Sequence, residues 1–106
     1  MHIQKDAIYY LARIADLNSD FALAVALYMR VTSGSNAIIS QRRASQLLLD
    51  KKKPTAALII LRDFGKNYPA FAIQMIKERA EVNEIQGNYI EALRLYDDFI
   101  HFNVFN

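Results

Sequence analysis

Ala24, Ala57 and Ala92 stand 33 and 35 residues apart, and their surroundings recur in the same register. Four positions after them come Tyr28, Leu61 and Tyr96, and seven positions after come Val31, Phe64 and Phe99. Three positions before them stand Phe21, Pro54 and Tyr89. On the preceding segments Ala12, Ser45 and Ala80 share one place, each following Leu11, Ala44 or Arg79. Small and apolar residues spaced by three and four describe one face of a helix, and a period of this length describes a helix pair. An alanine at a helix crossing lets the two axes approach to the short end of the usual range of about 8–10 Å. One such pair cannot bury its own apolar face, so each must find cover on the next.

The punctuation between apolar stretches fits that plan. Periodicity predicts helices over Lys5–Leu17, Phe21 to about Val31, Ala37–Asp50, Pro54 to about Gly65, Ala70–Gln86, and Tyr89 to about Ile100. In the first, Ile8, Leu11, Ala12 and Ala15 are expected inward; in the third, Ala44, Leu47 and Leu48. Asp20 or Ser19 is placed to cap the second helix, and Asn88 the sixth. Pro54 suits the first turn of the fourth. Connections this short fold each helix back on its predecessor, giving three antiparallel hairpins in series. With 106 residues and 53% hydrophobic composition, the chain has room for one domain, too apolar to be a disordered tail. Its units are expected at about 5–37, 38–72 and 73–106.

The segments LNSDFALAVALYMRV, KKKPTAALIILRDF and IQGNYIEALRLYDDF, aligned on their alanines, resemble the tetratricopeptide repeat family. QGNYIEALRLYDDF is the best match, and YYLARIADLNSDFALAVALYMRV follows it; the middle unit departs, with Lys52 at the usual turn glycine and Pro54 at the usual aromatic. The resemblance covers about Lys5 to Ile100. It implies an all-α, right-handed superhelical stack that holds a protein or peptide partner in a concave groove without catalysing a reaction. The divergent repeats suggest a piece of a longer bacterial protein that assembles a multi-protein complex. Groove positions carried over by register are Tyr9 and Arg13, Arg42 and Gln46, and Lys77 and Glu81, each pair four apart on one helical face. The column Arg13, Arg42 and Lys77 would receive an acidic peptide or a terminal carboxylate. The best-known carboxylate-clamping members use groove asparagines, and none stands at these positions.

Few residues here suit catalysis or metal binding. There is no cysteine, so no disulfide framework, thiolate site or cysteine nucleophile. The two histidines, His2 and His101, lie near the chain ends. Gly34, Gly65 and Gly87 are isolated at expected helix ends, which leaves no phosphate-cradling loop. Glu78, Glu81 and Glu84 could form a carboxylate stripe, but no Glu-x-x-His partner accompanies them, and a solvated acidic face is expected. No enzyme activity, metal or cofactor is therefore expected.

The net charge of +2 conceals a banded molecule. Residues 1–34 are neutral, 35–69 carry +5 and 70–106 carry −3. Arg42, Arg43 and Lys51–Lys53 could touch phosphates, so a nucleic-acid-binding helical module is the alternative. The lysines also suit a helix carbonyl end, and the acidic third unit disfavours nucleic acid. A regulatory helical domain of a larger enzyme is a further alternative. The longest apolar run, FALAVALYM, is too short to span a bilayer, and no signal segment opens the chain. A soluble protein is expected, cytoplasmic, or periplasmic if a longer parent lost its signal. Phe102, Val104 and Phe105 extend past the last repeat-like residue and are expected either to fold back or to form an end-to-end or dimer contact.

Overall fold

The computed structural model describes residues 5–105, and the side chains over 6–102. The described residues form α1 (Lys5–Leu17), α2 (Phe21–Met29), α3 (Ala37–Asp50), α4 (Pro54–Asn67), α5 (Ala72–Ile85) and α6 (Tyr89–Phe105), with a 3₁₀ turn at Pro69–Phe71. Among them there is no strand, and the chain is all-α. The chain divides into two units, residues 1–53 and 54–106. In the first unit α1 packs on α2 and α2 on α3; in the second α4 packs on α5 and α5 on α6. The expected hairpin of α3 with α4 falls across the boundary between the units.

The repeat register is visible in the interior. Ala24, Ala57 and Ala92 are all buried, and so are Ala12, Ser45 and Ala80. Tyr28, Leu61, Val31 and Phe64 are buried beside them, while Tyr96 and Phe99 are half-buried. The inward set of α1 is smaller than expected: Ala12 and Ala15 are buried and Ile8 half-buried, but Leu11 is 58% exposed. Two small residues suffice because α1 packs chiefly on α2.

The register extends to the turns. Ser19 and Lys52 have φ of +61°, and Gly87 has +78°, at positions 33 and 35 residues apart. The next residue donates its N–H five residues back in each case: Asp20 to Ala15 at 2.8 Å, Lys53 to Leu48 at 2.9 Å, and Asn88 to Asn83 at 2.8 Å. The left-handed residue donates three back, to Asp16, Leu49 and Glu84. This is the Schellman closure, which satisfies carbonyls that a helix end leaves free. At the start of α2 the expected side-chain cap is not formed, since Asp20 makes no capping hydrogen bond. Lys52 thus adopts the turn conformation although it is not glycine.

Several boundaries differ from expectation, two of them for a reason visible in the turns. α2 stops at Met29, because Arg30 and Val31 donate three residues back, to Leu27 and Tyr28, at 3.0 Å each. α5 begins at Ala72, because Pro69–Phe71 forms a tighter turn that lays Phe71 on Phe64 with centroids 5.2 Å apart. α6 runs past Ile100 to Phe105. Gly65 lies inside α4, buried, not at a helix end; a Cβ there would stand 3.0 Å from Met75 Cβ, so α4 and α5 approach closely at that point. Phe102 is exposed, whereas Val104 and Phe105 lie outside the residues whose side chains are described, and His2 lies outside the described residues.

Candidate functional site

In the first unit one carboxylate joins three helices. Asp16, near the end of α1, receives Arg43 of α3 through both oxygens, with Nε at 2.7 Å and Nη2 at 2.9 Å. Tyr28 of α2 donates its hydroxyl to the same group at 2.9 Å. A planar guanidinium matches a carboxylate in this two-point geometry. The Arg43 hydrogen bond holds the Asp16 carboxyl below its ordinary pKa, with the Tyr28 hydroxyl acting in the same direction against partial burial. Burial, then the Asp16 bond, pushes Tyr28 up to about 12. Arg43 thus spends its charge largely on Asp16, with its side chain still 39% exposed.

A second link fixes the end of α2. Gln41 of α3 is buried, and its amide donates to the carbonyls of Tyr28 and Met29 at 3.3 Å and of Val31 at 3.0 Å. The Tyr28 carbonyl also accepts from the Val31 N–H, so the glutamine adds to the closure of the α2 end. Between α2 and α3 runs a groove of about 420 Å³, lined by Phe21, Ala22, Val25, Leu47 and Leu48 with Lys51 and Lys53 beside them. The Lys51 ammonium sits 4.2 Å from the centroid of Phe21, a cation–π distance.

Outside this frame lie four of the expected partner-binding residues. Arg13 is exposed, its guanidinium carbon 5.8 Å from the Tyr9 centroid and 5.9 Å from the Tyr10 centroid. Tyr9 in turn stands 5.5 Å from Tyr10 and 6.3 Å from Tyr28. A cation braced on two rings has few orientations to lose when it meets a carboxylate. On α3, Arg42 is half-buried and Gln46 exposed.

The second unit holds the other two, and they face each other: Lys77 Nζ lies 3.7 Å from Glu81 Oε1. The acidic stripe is not a solvated face throughout, because Glu78 is buried and accepts from the Gln74 amide at 3.2 Å. Tyr96 donates to Glu84 at 2.8 Å across twelve residues, the same separation as Tyr28 and Asp16. Burial and this bond push Tyr96 up to about 12. Among the described residues no group of three or more acidic, histidine or cysteine side chains could hold a metal ion. No helix there is long and apolar enough to cross a membrane.

Arg79 was not singled out as a binding residue by the sequence. It is half-buried in a cleft of about 250 Å³ lined also by Thr55, Leu58, Ile59, Arg62, Asn83 and Glu91. Burial, then Arg94, lowers its pKa from the ordinary guanidinium value. The signal was present: Arg79 stands where the earlier repeats have Leu11 and Ala44. No known protein family, curated protein or solved structure compared with this chain matches it.

Proposed function

We propose that this chain is a tetratricopeptide-like repeat protein that acts as a non-catalytic scaffold, holding an acidic stretch of a partner protein on the α1 and α3 surface of the first unit. The observation that carries the reading is Arg13, exposed and braced on Tyr9 and Tyr10. Arg42 and Gln46 stand on α3, which Arg43 fastens to α1 through Asp16. Supporting the repeat is the same left-handed turn at Ser19, Lys52 and Gly87, in register with the buried alanines. Lys77 and Glu81 satisfy each other, so the second unit contributes less open charge to such a partner than Arg13 does.

A displayed random-peptide library selected on the intact chain tests this directly. Peptides rich in Asp and Glu, or ending in a free carboxylate beside them, are expected to emerge. Arg13→Glu with Arg42→Glu should weaken their binding about tenfold or more, because a charge-assisted pair becomes a like-charge contact. Circular dichroism should show the helices intact. Selection without acidic bias, or equal binding by the double variant, would overturn the reading.

A further inference from the structure

The packing of α3 on α2 has counterparts elsewhere in the chain that lack their other half. Phe21 and Val25 of α2 line a groove with Leu47 of α3, and Leu47 is only 2% exposed. In the third repeat the places of Phe21 and Val25 belong to Tyr89 and Leu93 on α6, which are 69% and 71% exposed. In the first repeat the places of Ala44 and Leu47 belong to Leu11 and Ile14 on α1, each 58% exposed. α6 thus carries the kind of face that α2 covers with α3, and α1 carries the kind of face that α3 offers.

We infer that two copies of this chain associate head to tail, α1 of one copy lying on α6 of the next as α3 lies on α2. The internal junction supplies the template for each contact. Leu11 and Ile14 of one copy cover Tyr89 and Leu93 of the other, removing large apolar groups from water. Tyr10 holds in α1 the place that Arg43 holds in α3, and Glu84 holds the place of Asp16. The Arg43–Asp16 bond is therefore replaced between copies by a phenol donating to the Glu84 carboxylate. Charge does not oppose this pairing: α1 is neutral, with Lys5 and Arg13 against Asp6 and Asp16, whereas α5 and α6 together carry a net −3.

The contact is heterologous, since the two faces differ, so a dimer retains one open face of each kind. One helix laid on another is a small contact beside the roughly 1,200 Å² of a stable interface, so the association is weak and shows only in concentrated protein. The inference rests on the same repeat register as the proposed function and shares Tyr10 of α1 with its acidic-partner surface, but its test reads self-association of the chain alone, which the peptide selection does not.

Sedimentation equilibrium up to about 1 mM tests it. The mass of the wild-type chain should rise from 12.2 kDa towards and beyond twice that value. Ile14→Asp and Leu93→Asp, both at exposed positions, should each weaken self-association about tenfold or more with unchanged helical circular dichroism. Mixing the two variants is the decisive arm. Ile14→Asp keeps an intact α6 and Leu93→Asp keeps an intact α1, so together they should form a one-to-one dimer that grows no further. A wild-type chain that stays at 12.2 kDa overturns the inference, and this is also the result if a different protein covers these faces. Undiminished association of Ile14→Asp, the signature of an α6-to-α6 dimer, overturns it too. So does a mixture that stays monomeric.

Discussion

Tyr28 with Asp16 and Tyr96 with Glu84 are the same hydrogen bond made twice, each between residues twelve apart and at 2.9 and 2.8 Å. Their surroundings differ. Asp16 is also gripped by Arg43, and its side chain is only 13% exposed; Glu84 is exposed and receives its one described hydrogen bond from Tyr96. The first unit follows its carboxylate with a further helix, α3, which supplies both Arg43 and the buried Gln41. In the second unit the equivalent carboxylate belongs to the last helix pair. A motif repeated in sequence thus becomes a fastening in one unit and a surface contact in the other, because the neighbour that completes it is present only once.

The largest expected effect tests whether α3 fastens the first unit through Gln41. Gln41→Met keeps most of the volume but withdraws the amide from three carbonyls, and should cost about 2–3 kcal/mol in urea unfolding. α4 offers an internal control, since its end is closed by Tyr68 donating to Phe64 and by the 3₁₀ turn, with no glutamine involved. Hydrogen exchange should therefore accelerate in α2 and leave the end of α4 unchanged.

The carboxylates themselves give the next effect. Asp16→Ala should destabilise by about 2 kcal/mol, since Arg43 and Tyr28 lose a shared acceptor in a partly buried place. Glu84→Ala should cost no more than about 0.5 kcal/mol, as exposed contacts do. Equal losses would erase the distinction between the units. The pH dependence sharpens it further. The folded pKa of Asp16 is depressed, so its contribution is present above the ordinary carboxylate value of 3.8 and fades as pH falls through the lower folded value. Both tyrosines are raised to about 12 from 10.0, so their share is full below pH 10 and is lost between pH 10 and 12. Asp16→Ala should remove an acid-limb loss of stability from urea midpoints taken across pH.

The turns give the smallest effect and address what the units have in common. Lys52→Gly should stabilise by about 0.5–1 kcal/mol and Gly87→Ala should destabilise by a similar amount, because a side chain at positive φ meets the backbone. Thermal unfolding of the two variants measures both signs. Matching signs would mean that the two turns do not share a conformation.

What sequence made legible was local or periodic. The buried alanines, the turn positions and the all-α class follow from spacing alone. Gln41 and Arg43 were hidden because their partners lie at separations of 10–13 and 27 residues, where periodicity says nothing. Spacing groups Arg43 with Arg42, its neighbour along the chain, whereas the fold pairs it with Asp16. Its spacing with Glu81 and Glu84 places Glu78 on a solvated face, yet it is buried. Spacing marks a helical face without saying what covers it. Of the expected partner-binding residues, Tyr9 with Arg13 and Lys77 with Glu81 do meet, since helical geometry alone brings together residues four apart.

On the proposed acidic-partner reading, the shared grip on Asp16 bears on recognition as well as on stability. Three helices tied to one carboxylate wobble less against one another than helices held by apolar contact alone. A polypeptide that touches Arg13 on α1 and Arg42 on α3 would then find its two anchor points held at a fixed spacing. The entropy of aligning them is surrendered when the chain folds, so less remains to be surrendered when the partner arrives.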